Sequence, residues 1–392
     1  NEQCTMYRLS TPQEEREFEV FIEALFKQDN PIKVQKELHS LNVPAPYRLR
    51  IKVLYSSVSV RDAVDRLVEK GKLQSFNTES GTYLFQTMIG KRKPIEVRLP
   101  FFIESFEQQD LHKNVQAIIA ICKTNQWNVL RRLFKNSYPK VVPILLSQAE
   151  LIQSARRLKM VTGHSVNVRA LSAKESFNGE KGTFKKSVRV WTDEELERAL
   201  HSIQDRRQII TSIDIEFFPV IGGQTHVRPT AICKIRKNGE IEVTGSYKLA
   251  FDAVAKQIAE VGERKLRFFA GRGLRLSQYK PRPLAINFIQ PVFQKTDSIR
   301  RFVQILSKYP KSMHAVEDGN PYAHVKLTDI YDGSSFDVWA ISPSRIALMP
   351  GLKASEAAFE RLVDYIFDQF REGQIADYGH EGKTLESSTG QG

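Results

Sequence analysis

The chain has 392 residues, 41% of them hydrophobic and 26% charged, enough to bury cores in two or three domains. Its 58 Lys and Arg outnumber 45 Asp and Glu, and the resulting formal charge of +13 favours a polyanionic partner. No run of about 18 apolar residues marks a membrane span, and three dispersed cysteines (Cys4, Cys122, Cys233) exclude a disulfide framework or a cysteine zinc site.

Residues 1–45 carry 5 Lys/Arg against 8 Asp/Glu, net −3. They read as helical. In "TPQEEREFEVFIEALFKQD", Thr11 starts a helix with acids in its first turn, and Phe18, Phe21, Ile22, Leu25 and Phe26 form an apolar stripe. A short second helix, "IKVQKELHSL", is stopped by "VPAP". The N-terminus lacks the basic-then-apolar layout of a secretion signal, and both ends read as processing remnants. The expected location is cytoplasmic or nucleoid-associated.

Residues 46–190 hold 26 cations against 11 acids, net +15, while residues 191–392 hold 27 against 26. The excess therefore sits in one block, the footprint of a phosphate-facing surface; the bland alternative is a solubilising surface. The block opens with "YRLRIKVL", a strand with Arg48, Arg50 and Lys52 opposite Leu49, Ile51 and Val53. In "SVRDAVDRLVEKGKLQSFNTESGTYLF", Val60, Ala63, Val64, Leu67 and Val68 fall at helical spacing, and two strands flank the turn-forming "NTESG". In outline the stretch resembles the winged-helix regulators of bacteria, with "VRDAVDRLVEKG" as recognition helix and "NTESGT" as wing. That resemblance implies DNA contacts at Arg61 and Arg66. Asp62, Asp65 and Glu69 on the same helix oppose phosphate, however, and the preceding strand makes an ordinary α+β sheet unit equally available. Further candidate phosphate contacts are Lys91, Arg92 and Lys93, and Arg131 with Arg132 behind Trp127.

Residues 101–162 read as helical, through "DLHKNVQAIIAIC", "WNVLRRLF" and "ILLSQAELIQSARRLKMV", and the polar 163–186 as a linker. The C-terminal half shows a β-α-β-β-β-α pattern twice, at 187–270 and 284–371, with Asn238-Gly239 as a hairpin turn in the first copy. Paired repeats of this order resemble, at the level of fold alone, the two halves of a TATA-binding-protein saddle. Between them, 271–283 is a basic loop bearing Arg272 and Arg275 that suits a linker or a nucleic-acid backbone. Residues 372–392 read as a disordered tail.

Catalysis has weaker support. Asp214 and Glu216 share a strand face, with Lys234 on a following strand, which suits a metal-dependent nuclease. Cross-strand pairing with Lys234 and Arg236 accounts for the acids more simply. Asp329, Asp332 and Asp337 do not match a calcium loop, and the eight histidines form no ligand pair. The expectation is a multi-domain α+β protein without cofactor or metal: 1–100 helical plus winged helix or small α+β domain, then the segments above. It is expected to bind nucleic acid, DNA before RNA, without catalysis, and to meet a protein partner through 191–371 as a subunit of a larger complex. A nuclease and a protein-interaction scaffold are the alternatives.

Overall fold

The computed structural model describes residues 9, 11–28, 31–56, 59–77, 81–89, 95–106, 115–135, 141–161, 164–175, 185–189, 193–205, 208–221, 224–225, 228–272, 282–310, 312–317, 323–351 and 353–379. The chain divides into two compact units, Asn1–Gly262 and Glu263–Gly392. Each is α+β with one sheet, and every registered strand pair among the described residues is antiparallel.

In the N-terminal unit α1 (Pro12–Phe26) begins with a capping box. Thr11 Oγ1 accepts from the Glu14 amide, and the Glu14 carboxylate accepts from the Thr11 amide. Its apolar stripe buries Ile22, Leu25 and Phe26. After α2 (Pro31–Ser40) come β1 (Arg48–Ser56) and α3 (Val60–Glu69). Ser59 caps α3, and its i, i+3, i+4, i+7 residues Val60, Ala63, Val64 and Leu67 are buried. Then follow β2 (Gln74–Asn77), β3 (Thr82–Ile89), β4 (Ile95–Ser105), β5 (Val115–Cys122), α4 (Thr124–Lys135) and β6 (Val141–Pro143). These strands lie in the order β2-β3-β4-β5-β1, with β6 also on β1. The "SVRDAVDRLVEKG" stretch is thus an α-β-β segment of a wide sheet: β3 is registered on β4 along its whole length, and β5 closes against β1.

Helices cover both faces of this part of the sheet. On one face α3 and α4 pack Val64, Leu67, Trp127 and Leu130 against Phe101, Ile118 and Ala120. On the other, Phe26 of α1 meets Phe102 of β4, with ring centroids 5.5 Å apart. That double cover overturns the helical reading of "VQAIIAIC". All eight residues of β5 are buried, so the strand carries no alternation, and a short continuous apolar run looks alike in a buried strand and a buried helix.

The same sheet runs on through the second half of the unit. After α5 (Gln148–Val161) come β7 (His164–Glu175), β8 (Lys185–Arg189), α6 (Asp193–Asp205), β9 (Gln208–Ile221), β10 (Gln224–Thr225), β11 (Ala231–Arg236) and β12 (Glu240–Gly245). The order continues β1-β12-β11-β9-β7-β8. Two expectations change. The stretch 163–186 contains β7, a long strand on β9 whose polar Ser and Asn residues hide its alternation. Residues 187–262 are no separate domain, because β12 pairs with β1 over Leu49–Lys52. The Asn238-Gly239 hairpin is as expected. Gly239 has φ +71°, and a Cβ there would lie 2.6 Å from the Ile144 carbonyl oxygen, so glycine is required. Helix α7 (Tyr247–Leu249), a π-helical turn at Ala250–Ala255 and α8 (Lys256–Phe269) follow.

The C-terminal unit contains β13 (Leu284–Asn287), α9 (Thr296–Ser307), β14 (Ser312–Glu317), β15 (His324–Asp329), β16 (Ser335–Ser342), β17 (Arg345–Pro350), α10 (Glu356–Gln369) and β18 (Gln374–Asp377). Its order is β14-β15-β16-β17-β13-β18. Here β14 is additional to the expected pattern, and β18 lies inside the expected tail, where it pairs with β13. Phe302, Leu306, Phe359, Leu362, Val363 and Ile366 of α9 and α10 pack on one sheet face, against Val325, Leu327, Phe336, Val338, Ile346 and Leu348. The strand order equals that of β1 to β5, and β18 on β13 matches β6 on β1. The expected first copy, 187–270, differs, since β8 sits at an edge beside β7.

Candidate functional site

Period-two alternation puts most apolar residues of β1, β12, β11 and β9 on one face and their charged residues on the other. Register then lines the polar residues up across strands. Arg50 stands opposite Glu242, Glu242 opposite Lys234, and Lys234 opposite Asp214. In the next row Lys52 faces Glu240. The result is a ladder of alternating sign across four strands, the arrangement that cross-strand pairing favours.

The ladder is held from within. Arg50 and Glu240 are each only 2% exposed and lie 3.1 Å apart. Arg50 also reaches Glu242 at 3.2 Å and donates to Thr124 Oγ1 of α4 at 2.8 Å. Arg236 contacts Glu240 and Glu242 at 3.4 and 3.1 Å, Arg48 contacts Glu242 at 3.7 Å, and Arg131 of α4 reaches Glu240 at 3.5 Å. Farther along, Lys234 pairs with Asp214 at 3.1 Å and Arg169 with Glu216 at 3.2 Å. Burial works against ionisation of Glu240, but Lys52, Trp127, Arg131 and Arg236 outweigh it and hold the carboxyl below its usual range. Lys52 is the converse case: its ammonium donates to the Asn238 carbonyl at 3.1 Å, yet desolvation lowers it to about 7 despite Glu240.

Seven cations (Arg48, Arg50, Lys52, Arg131, Arg169, Lys234, Arg236) therefore share this face with four carboxylates (Asp214, Glu216, Glu240, Glu242). The face reaches solvent at its ends, where Arg169 is 54% and Arg131 40% exposed. The strand β1 does present a basic row, but Arg50 and Lys52 are buried, so they organise the face rather than lie on its surface. Arg132 is exposed on α4, and on α3 Arg66 is exposed and Arg61 half-buried. Asp65 of α3 is engaged by the Tyr83 hydroxyl at 2.7 Å, an internal role for one acid that weakened the recognition-helix reading. Lys91, Arg92, Lys93 and Arg275 lie outside the described residues.

Arg272 is placed differently from its expectation as a loop cation. It is buried, pairs with Asp377 at 2.5 Å, donates to the carbonyls of Phe268 and Arg282, and stacks over the Phe268 ring. Burial lowers its pKa despite Asp377. The acids of "TDIYDGSSFD" are likewise internal. Asp329 takes two bonds from Arg361, at 2.8 and 2.6 Å; Asp332 accepts from Ser355 Oγ at 2.6 Å; and Asp337 lies 2.7 Å from His324 Nε2.

For the nuclease alternative, Asp214 and Glu216 each face a cation, and among the described residues no group of three His, Cys, Asp or Glu side chains is arranged to hold a metal ion. Cys122 and Cys233 are free and buried, and burial pushes the Cys122 thiol up to about 12, so neither is a poised nucleophile. A cleft of about 290 Å³ between α1 and the sheet is lined by Arg16, Glu19, Tyr47, Arg98 and Gln126. Its carboxylates are occupied: Glu23 holds Arg98 through two bonds, and Glu19 accepts from the Tyr47 hydroxyl at 2.7 Å. A scan against protein-family models gives no match, and a search of curated proteins gives none either.

Glu240, Glu242, Arg236 and Arg169 are the members that sequence reasoning left out of its sites. A signal for three of them was present, because a hairpin turning over Lys237-Asn238-Gly239, with Gly239 at positive φ, sets the register of "CKIRKNGEIEV" and puts Lys234 opposite Glu242. What that signal could not give is β1 as the next strand.

Proposed function

We propose that this protein binds DNA without catalysing its cleavage, through phosphate contacts from Arg131 and Arg132 of α4 and from Arg48, Arg236 and Arg169 on the adjoining sheet face. Arg61 and Arg66 extend this surface along α3. The observation that carries the proposal is that, among the described residues, Lys and Arg side chains outnumber the four carboxylates of one connected face even with Lys52 set aside, and that the face opens to solvent at Arg131 and Arg169. The buried pairs fix the geometry, and the exposed guanidiniums meet the polymer. Such contacts position a backbone without reading sequence, so discrimination between sequences is weak and salt dependence steep.

We further propose that the chain contains a duplicated unit at 48–143 and 284–377, in place of 187–270 and 284–371. It is supported by the shared β-α-β-β-β-β-α order and by the short strand that returns to the first strand in both.

The test is an electrophoretic shift of the full chain with duplex DNA, single-stranded DNA and RNA at two salt levels. A triple variant, Arg131→Ala, Arg132→Ala and Arg169→Ala, should bind more weakly, and its salt slope should flatten by roughly 0.9 per lost phosphate contact. Absence of any shift at low salt with all three polymers would refute the reading.

A further inference from the structure

The face of the C-terminal sheet opposite α9 and α10 carries an aromatic ring where alternation calls for a polar side chain. In β16, Phe336, Val338 and Ala340 point into the core with α9 and α10, so Ser335, Asp337 and Trp339 point the other way. Trp339 remains 39% exposed. It is not loosely placed. Its ring stacks on His324 of β15, with centroids 3.7 Å apart and planes 12° from parallel, and Asp337 fixes that imidazole from the next position along β16. A stacked pair backed by a carboxylate is a rigid, pre-oriented platform.

The surroundings of the ring alternate apolar and cationic groups. The row on one side of Trp339 contains exposed Lys326, in register with Asp337, and Met349. The row on the other side contains Arg345 of β17, whose guanidinium lies 5.2 Å above the Tyr378 ring. Met313 on the edge strand β14 adds a further exposed apolar side chain. Cations thus flank the aromatic platform both ways along the strand direction, roughly 7 Å from it at two residues per step. A base presents an apolar π-face between charged phosphates, and a sheet face combining an aromatic ring with cations is complementary to that repeat.

We infer that this face is a stacking site for single-stranded DNA, with a base on Trp339 and neighbouring phosphates on Lys326 and Arg345. The inference rests on the nucleic-acid reading above but assigns it a second surface and a strand preference. Duplex DNA keeps its bases stacked on one another and cannot use the platform.

The experiment measures fluorescence anisotropy of a labelled mixed-sequence 12-nucleotide DNA, as single strand and as duplex, with the full chain. Trp339→Ala should weaken single-strand binding by about tenfold, the scale of one lost base stack, and leave duplex binding unchanged. Trp339→Phe, which keeps a ring, should retain most of the affinity, while quenching of tryptophan emission on binding shrinks. If Trp339→Ala, folded by its denaturation midpoint, binds the single strand like the wild type, or loses duplex affinity equally, the stacking site is refuted. Duplex binding that survives in such a result leaves the phosphate-contact reading standing. Binding of neither form would refute both.

Discussion

The sheet formed by β2, β3, β4, β5 and β1 and the sheet of the C-terminal unit have the same strand order, yet their second faces are opposites. In the first, α1 covers that face and the strand beneath, β5, is buried at every position. In the second, α9 and α10 cover one face, and β15 alternates between buried Val325 and Leu327 and exposed Lys326 on the other. One order of strands therefore supports two chemistries, and what lies over the second face selects between them. A covered face demands apolar side chains or paired charges such as Arg50 with Glu240, whereas the face opposite α9 and α10 holds Lys326, Asp337 and Trp339, each at least partly exposed.

The comparison breaks most visibly if a charge is placed at equivalent depth in both sheets. Ile119→Lys, at a fully buried position of β5, should cost about 4 kcal/mol or more in urea denaturation, whereas Thr328→Lys, on the face of β15 opposite α9 and α10, should cost less than about 1 kcal/mol. Similar losses would mean that the second face of the C-terminal sheet is covered after all.

Next in size are the ladder variants. Glu240→Gln leaves buried Arg50 without its nearest carboxylate and should cost about 3–5 kcal/mol, the usual penalty for breaking a buried pair from one side. Arg169→Ala, at the exposed end of the same face, should cost less than about 1 kcal/mol.

The pH dependence sharpens the contrast between buried and open cations. Lys52 titrates at about 7 in the folded chain against 10.5 ordinarily. Between those values the unfolded chain holds more protons, so this group makes stability rise with pH across that window, and below about 7 the full cost of its buried charge is present. Lys52→Met should therefore flatten the rise in urea midpoint between pH 7 and 10. The smallest effect belongs to Asp214→Ala, whose partner Lys234 is partly exposed. Its stability should change by less than about 1 kcal/mol. In assays with Mg²⁺ or Mn²⁺ neither it nor the wild type should cut DNA, and cleavage lost only in the variant would revive the nuclease alternative.

Much of the local structure was legible from residues alone. The capping box at Thr11, the buried face of α3 and the Asn238-Gly239 hairpin each depend on positions a few residues apart. The candidate site was legible in fragments. Arg48, Arg50 and Lys52 stood out as a row, and Asp214, Glu216 and Lys234 as a group, but the two are parts of one face because β12 joins β11 to β1. Trp339 could have been noticed as the one large aromatic out of phase in "SFDVWAIS".

By itself the sequence determined where helices cap, where turns reverse the chain and where positive charge gathers, because each depends on neighbours along the chain. Only the tertiary structure decided that "VQAIIAIC" is a strand, that 187–262 shares a sheet with 48–122, and that Arg50 and Lys52 face inward. Those outcomes depend on which surfaces cover one another, and burial on both sides erases the periodicity that would otherwise have announced them.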